Sequence, residues 1–293
     1  MILLLIPLIV LGVLSSLVYK WNRQSPIVSI FSSTFFGTII CGVMFAVSFA
    51  WTRTQFHNIS WLVMLIMFVK GIFWIAQVFV WVRGIKYVPV SIADPFTMVN
   101  MLVLLGLSWL IFSDAVSYLE IVLVIIVFGA CLTMGMLQHK QEKTTSNHKR
   151  YIIGMLWISL WVLLSTINTC ATRFVAEEGL NIFTFCFLEC VFAFPLTLLV
   201  IWFCGVSLKE TFKKSIGDEI QYGIGVVDNV PTYLWIPLAL TMNLGILEAI
   251  TVLSTVITII IGVIFMREKL RWYIYPFIIA VITSSVILAV LSG

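Results

Sequence analysis

Charge is scarce in this sequence. Thirteen acids and seventeen lysines and arginines make up only 10% of 293 residues, while 61% are apolar and the mean hydropathy is +1.13. A soluble domain of that length could not cover itself with so few charges. The hydrocarbon of a bilayer is the solvent that accepts such a surface. Long polar segments are missing too. The stretch from Gln138 to Arg150 reads as a linker, so no separate soluble domain is expected.

Catalytic and metal-binding patterns are also lacking. There is no P-loop, no G-x-S-x-G and no histidine pair, since His57, His139 and His148 all fall in loops. Six cysteines (Cys41, Cys131, Cys170, Cys186, Cys190, Cys204) lie inside apolar runs without CxxC spacing, so zinc is not implied. Cys186 and Cys190 share a helix face and read as small packing residues. No enzyme activity, cofactor or metal site is expected. Any driving force would be an ion gradient or the gradient of the solute itself. The net charge of +4 is spread thinly over short loops, which argues against a nucleic-acid surface.

What the sequence does contain is apolar runs of membrane-crossing length, roughly 20 residues each. They fall at 1–19, 27–50, 60–82, 91–112, 117–137, 151–173, 181–204, 219–240, 244–266 and 271–291. Continuous runs favour helices over the alternating strands of a barrel. Asp228, Asn229, Pro231 and Pro237 interrupt the eighth run. Met1 to Val18 lacks a basic leader and a clear cleavage site, and it reads as a helix of the mature protein. The expected fold is an all-α integral membrane protein with ten transmembrane helices.

Lysines and arginines cluster on one set of alternate loops. Fourteen belong to it: Lys20, Arg23, Arg83, Lys86, Lys140, Lys143, Lys149, Arg150, Lys209, Lys213, Lys214, Arg267, Lys269 and Arg271. The other set holds Arg53 and Arg173. By the positive-inside rule the first set is cytoplasmic, so both termini are expected on the far side of a bacterial inner (plasma) membrane.

The basic linker at 141–150 divides the chain into five spans before it (1–140) and five after (151–293). An odd number per half inserts the second copy upside down, an inverted-repeat arrangement common in transporters. Ser91–Thr97 and Gly245–Thr251 align at an offset of 154, which also brings Asp94 onto Glu248, Asp114 onto Glu268 and Tyr118 onto Trp272. The helix after Lys86-Tyr87-Val88-Pro89, the short loop with Asp114, and Phe265-Met266-Arg267-Glu268-Lys269-Leu270 resemble the drug/metabolite transporter superfamily of EamA type. That resemblance implies two inverted five-helix repeats and a central cavity lined by spans 1, 3, 4, 6, 8 and 9. It implies little about substrate, because the superfamily handles amino acids, amines, sugars, nucleotide sugars and drugs. Many of its members place both termini in the cytoplasm, opposite to the charge count here.

Ionisable residues in hydrocarbon are costly and mark pathways or buried pairs. Glu248 heads a stripe with Thr251, Thr255 and Thr258 on one helix face, which points to a cavity; the threonines alone would suit interhelical hydrogen bonds. Asp94 is its counterpart, with helix capping as the rival reading. Alternating access could expose the two acids in turn, as proton coupling requires. Lys70 shares a face with Trp74, Gln77 and Trp81, and it needs a partner. Asp228 is the first candidate and Glu189 the second, with a substrate anion as the alternative. Asp228 and Asn229 precede Pro231, and broken helices often form transporter sites. Trp157, Trp161, Ser165, Asn168 and Thr172 form a further aromatic-polar face, on which Trp161 could hold a cation. Glu189, with Phe185 and Phe192 on its face and no polar stripe, reads equally as a buried structural partner of Lys70 or Arg173 and as a functional residue.

The expected function is a secondary transporter, proton-linked or an exchanger, for a small polar metabolite. Four buried acids against one lysine favour a cationic or zwitterionic solute, such as an amine or amino acid, as the small-molecule partner. A transporter of anionic or nucleotide-sugar metabolites using Lys70, and a lipid-linked headgroup flippase, are the alternatives. Gly12, Gly42, Gly71 and Gly262 permit close helix contact without specifying an oligomeric state.

Overall fold

The computed structural model describes residues 2–22, 24–52, 59–84, 87–88, 93, 96–142, 148–266 and 272–292. Every regular element among the described residues is helical. In chain order they are α1 (Ile2–Trp21), α2 (Pro26–Thr52), α3 (Trp61–Gly84), α4 (Val99–Phe112), α5 (Tyr118–Glu142), α6 (His148–Glu177), α7 (Ile182–Phe203), α8 (Leu208–Ile216), α9 (Glu219–Ala239), α10 (Leu244–Met266) and α11 (Tyr275–Leu291). A short 3-10 turn, Trp272–Ile274, precedes α11.

Among the described residues, six segments are long and apolar enough to cross a membrane: Pro26–Ala50, Trp61–Trp81, Tyr151–Glu177, Ile182–Phe203, Leu244–Ile261 and Trp272–Leu291. Three shorter apolar stretches lie in α1, α4 and α5. The chain is a multi-pass membrane protein. α9 runs through Asp228, Pro231 and Pro237 as one 21-residue helix, so the eighth run is interrupted in composition but its helix is continuous.

Helix starts are set by local side chains. Ser117 and Glu120 form a reciprocal capping box at α5: Glu120 N–H donates to Ser117 Oγ at 3.2 Å, and Ser117 N–H to the Glu120 carboxylate at 2.7 Å. Asn181 caps α7 and Asp218 caps α9, each through a backbone N–H two residues on. Asn243 does the same for α10, accepting from Gly245 N–H at 2.8 Å. Gly205, at φ +65°, turns the chain out of α7, a conformation that glycine adopts without a Cβ penalty.

Two compact units emerge, and each draws on both parts of the chain. One comprises Met1–Val13, Val80–Thr166 and Thr241–Gly293; the other comprises Leu14–Phe79 and Ile167–Leu240. In the first, α5 packs on α11, α4 on α10, and α10 on α11. In the second, α2 packs on α7 and α9.

Small residues set the closest approaches. On α2, Gly37 receives the Asn229 amide of α9, where a β-carbon would come within 2.5 Å of Nδ2. On α9, Gly225 in turn receives Phe36 of α2. In the other unit, Gly245 of α10 lies against the Leu105 backbone of α4, with 2.5 Å left for a β-carbon. Aromatic rings fill the space beside α2, with Phe35 between Phe31, Phe194 and Phe212 at 5.5 to 5.9 Å.

Candidate functional site

The second unit holds an ionic centre built from three helices. Lys70 of α3 is 1% exposed. Its ammonium lies 3.1 Å from Glu189 Oε1 of α7, 2.8 Å from Asn168 Oδ1 and 2.5 Å from Thr172 Oγ1, the last two on α6. An ammonium has three N–H donors, and three side-chain oxygens of α6 and α7 surround this one. Thr172 is held in place by donating its own proton to Asn168 O at 2.8 Å. The Phe185 ring sits 5.4 Å from the same nitrogen.

Glu189, not Asp228, is therefore the partner of Lys70, which corrects the order expected from sequence. Asp228 instead accepts from the Tyr19 hydroxyl of α1 at 2.8 Å. Its neighbour Asn229 points elsewhere. The Asn229 amide donates to Ser33 O at 3.1 Å and to Gly225 O at 2.8 Å, and its oxygen lies 3.1 Å from Cys190 Sγ. Cys190 and Cys41, both buried and free, stand 3.6 Å apart at the same crossing. Asn229 thus ties α9 to α2 and α7, which is a packing role. Arg173 pairs with Glu177 one turn on, at 2.9 Å.

In the first unit, Glu248 is half-buried on α10, five residues beyond the capping Asn243. The carboxylate does not cap the helix. Among the described residues its partner is the Thr251 hydroxyl, 3.4 Å away, which also bonds the Glu248 carbonyl at 2.8 Å. Thr255 is half-buried on the same face. The tips of α4 and α10 are joined beside this acid: Ser108 Oγ accepts from Leu244 N–H at 3.2 Å and donates to Asp114. Asp94 lies outside the described residues.

The expected polar faces share one geometric property. On α10 the exposed side carries Ile257 and Ile264; Ile257, nine residues past Glu248, is about half a turn round the helix. On α3 the exposed side carries Leu65, Phe68 and Ile72, opposite Lys70, Trp74 and Gln77. On α6 it carries Leu156, Leu163 and Ile167, opposite Trp161, Ser165 and Asn168. On α9, Tyr222 and Val226 are exposed and Asp228 is turned away from them. Each helix therefore offers apolar residues outward and keeps its polar stripe half-buried or buried. Trp161 is engaged with Trp81, ring centroids 5.3 Å apart, and Thr166 donates to Asn100 at 2.6 Å. Gln77 Oε1 is buried without a hydrogen-bond partner among the described residues.

Tyr19 and Thr172 were the residues that sequence reasoning did not single out as partners. Thr172 stood in the stripe of α6, but Tyr19 lies at the end of an apolar run with nothing to connect it to a residue 209 positions away.

No protein-family model matches the chain. No curated protein matches it either. Among solved structures, a crystal structure of a protein aligns over 99% of this chain and 97% of its own length at a TM-score of 0.74, with 12% identity. That likeness is one of fold alone.

Proposed function

We propose that this protein is a secondary transporter of the drug/metabolite type, built as two inverted five-helix repeats. It moves a small cationic or zwitterionic metabolite, such as an amine or amino acid, in exchange or with a proton. The observation that carries the reading is that the polar stripes of α3, α6 and α10, and Asp228 on α9, each lie away from the exposed apolar side of their own helix. Membrane helices bury such stripes against a neighbour or line a cavity with them. Glu248 has too few partners for a purely structural acid, with one hydroxyl at 3.4 Å among the described residues.

Helix pairing supports the repeat. In a five-plus-five reading that sets α8 aside, α2 and α7 are counterparts, as are α4 and α10, and α5 and α11. Each of these pairs packs together, as helices lying beside a two-fold axis between repeats would. The state of Lys70 supports the charge preference. With Glu189, Asn168 and Thr172 around it, its ammonium is already neutralised and hydrogen-bonded, which argues against a substrate anion there. Lys70 is then a structural tie, and among the described residues Glu248 and Asp228 are the acids left for solute or proton, with Asp94 as the further candidate from sequence.

The test is thermal stability of the purified protein against cationic, zwitterionic and anionic metabolites, followed by flux of any stabilising compound into proteoliposomes. A bound solute raises the apparent melting temperature. Amines or amino acids should stabilise the wild type and not Glu248→Gln, and flux should fall with the same substitution. Stabilisation by anions alone, or a Glu248→Gln protein that responds and transports like wild type, would remove this reading. Flux that requires one particular lipid would point to a headgroup flippase instead.

A further inference from the structure

The segment between α7 and α9 reads from sequence as a basic loop, yet it folds into α8, nine residues with chemically distinct sides. It is firmly anchored. Ser207 caps it by accepting from Glu210 N–H at 3.4 Å. Thr211 and Ser215 are buried, and the Ser215 hydroxyl bonds Ser32 of α2. Phe212 sets its ring edge-on to Phe35 at 5.5 Å.

Next to the buried side, Leu208, Phe212 and Ile216 follow one another at four-residue steps, and all three are exposed. Lys209 and Lys213, also exposed, form the adjoining row. Lys214 and Glu210 lie on the far side of the helix from the apolar row. A row of lysines bordering an apolar row suits a helix lying at the headgroup boundary. The apolar row rests on acyl chains while the lysine stems run along it and carry their charges up to phosphates.

The depth of α8 is fixed by a separate feature. α7 ends in Trp202 and Phe203, 71% and 77% exposed, and α9 opens with the exposed Tyr222, whose hydroxyl donates to Ile216 O at 2.9 Å. Exposed aromatic residues at the ends of membrane helices mark the interface. Lys213 in the last turn also complements the helix C-terminus. That role does not explain Lys209 in the first turn, nor three exposed apolar side chains beside it.

We propose that α8 is a binding site for an anionic phospholipid, with Lys209 and Lys213 holding the headgroup phosphate and Leu208, Phe212 and Ile216 supporting the acyl chains. The site is independent of the transport reading, and its test involves no solute. Native mass spectrometry of the purified protein, titrated with phosphatidylglycerol and with phosphatidylcholine of the same chain length, measures it directly. Phosphatidylglycerol should bind preferentially. Each lysine near an anionic surface contributes roughly fivefold, so K209Q/K213Q should weaken phosphatidylglycerol binding on the order of tenfold or more. K209R/K213R should retain it, and Lys214→Gln, which carries its charge away from the apolar row, should stay close to wild type. Equal binding of the two lipids by the wild type would overturn the proposal. So would a K209Q/K213Q protein that loses no more affinity than Lys214→Gln, or a K209R/K213R protein that loses as much as the glutamine pair.

Discussion

Lys70 Nζ stands 3.1 Å from Glu189 Oε1, and this contact joins α3 to α7 where both charges are largely removed from solvent. Removing one member leaves the other charge buried and unpaired, which costs about 3 to 5 kcal/mol. Lys70→Met should therefore lower the melting temperature sharply. Lys70→Met combined with Glu189→Leu should recover at least half of that loss, because an apolar pair of similar volume avoids desolvation altogether. A double variant no more stable than the single one would show that the two charges do not act as a pair.

Gly37 is the second pressure point. A methyl group there meets the Asn229 amide at 2.5 Å, so Gly37→Ala must push α9 away from α2 or force Asn229 out of its hydrogen bonds. Overpacking of this kind costs about 1 to 3 kcal/mol. Adding Asn229→Ala opens the space and should return part of the stability. The check is a double-mutant cycle by thermal unfolding, with a coupling near zero as the contrary result.

The Tyr19 hydroxyl gives Asp228 its hydrogen bond at 2.8 Å. Tyr19→Phe and Asp228→Asn each disturb that bond, so their effects should be less than additive. In the transport reading both should also slow flux, since the phenol sets the position of the acid. Additive losses, or a Tyr19→Phe protein that transports at the wild-type rate, would mean that the contact is incidental.

Ser207 holds the start of α8. Loss of an N-cap side chain costs about 1 kcal/mol, too little to unfold the protein but enough to fray a nine-residue helix. Amide hydrogen exchange in Ser207→Ala should rise across Leu208–Ile216 while α7 and α9 keep their protection. Unchanged exchange in that segment would place the stability of α8 in its contacts with α2, α7 and α9.

The helices were legible because hydrocarbon selects long apolar runs and little else. The run at 27–50 became Pro26–Thr52 and the run at 244–266 became Leu244–Met266. The basic segment at 208–216 was missed as a helix because its nine residues carry no apolar run, although Ser207 and Glu210 give the spacing of a capping box. Polar stripes were legible from their spacing alone, as with Lys70, Trp74 and Gln77. Partners were not. Sequence position favoured Asp228 for Lys70, and only the crossing of α3 with α7 brings Glu189 there. Tyr19 is invisible for the same reason: helical periodicity fixes the side of a helix but not the neighbour it meets.

The packing of α2 against α7 and α9 has a consequence for biosynthesis. Ribosomes deliver the chain from its N-terminus, so α2 enters the bilayer long before Ile182–Phe203 has been made. Until then Gly37 faces no asparagine, Lys70 has no carboxylate, and α5 has no α11. The early helices must wait in lipid as separate stable rods, or be sheltered by the insertion machinery, and neither compact unit can close before translation has passed Ala239.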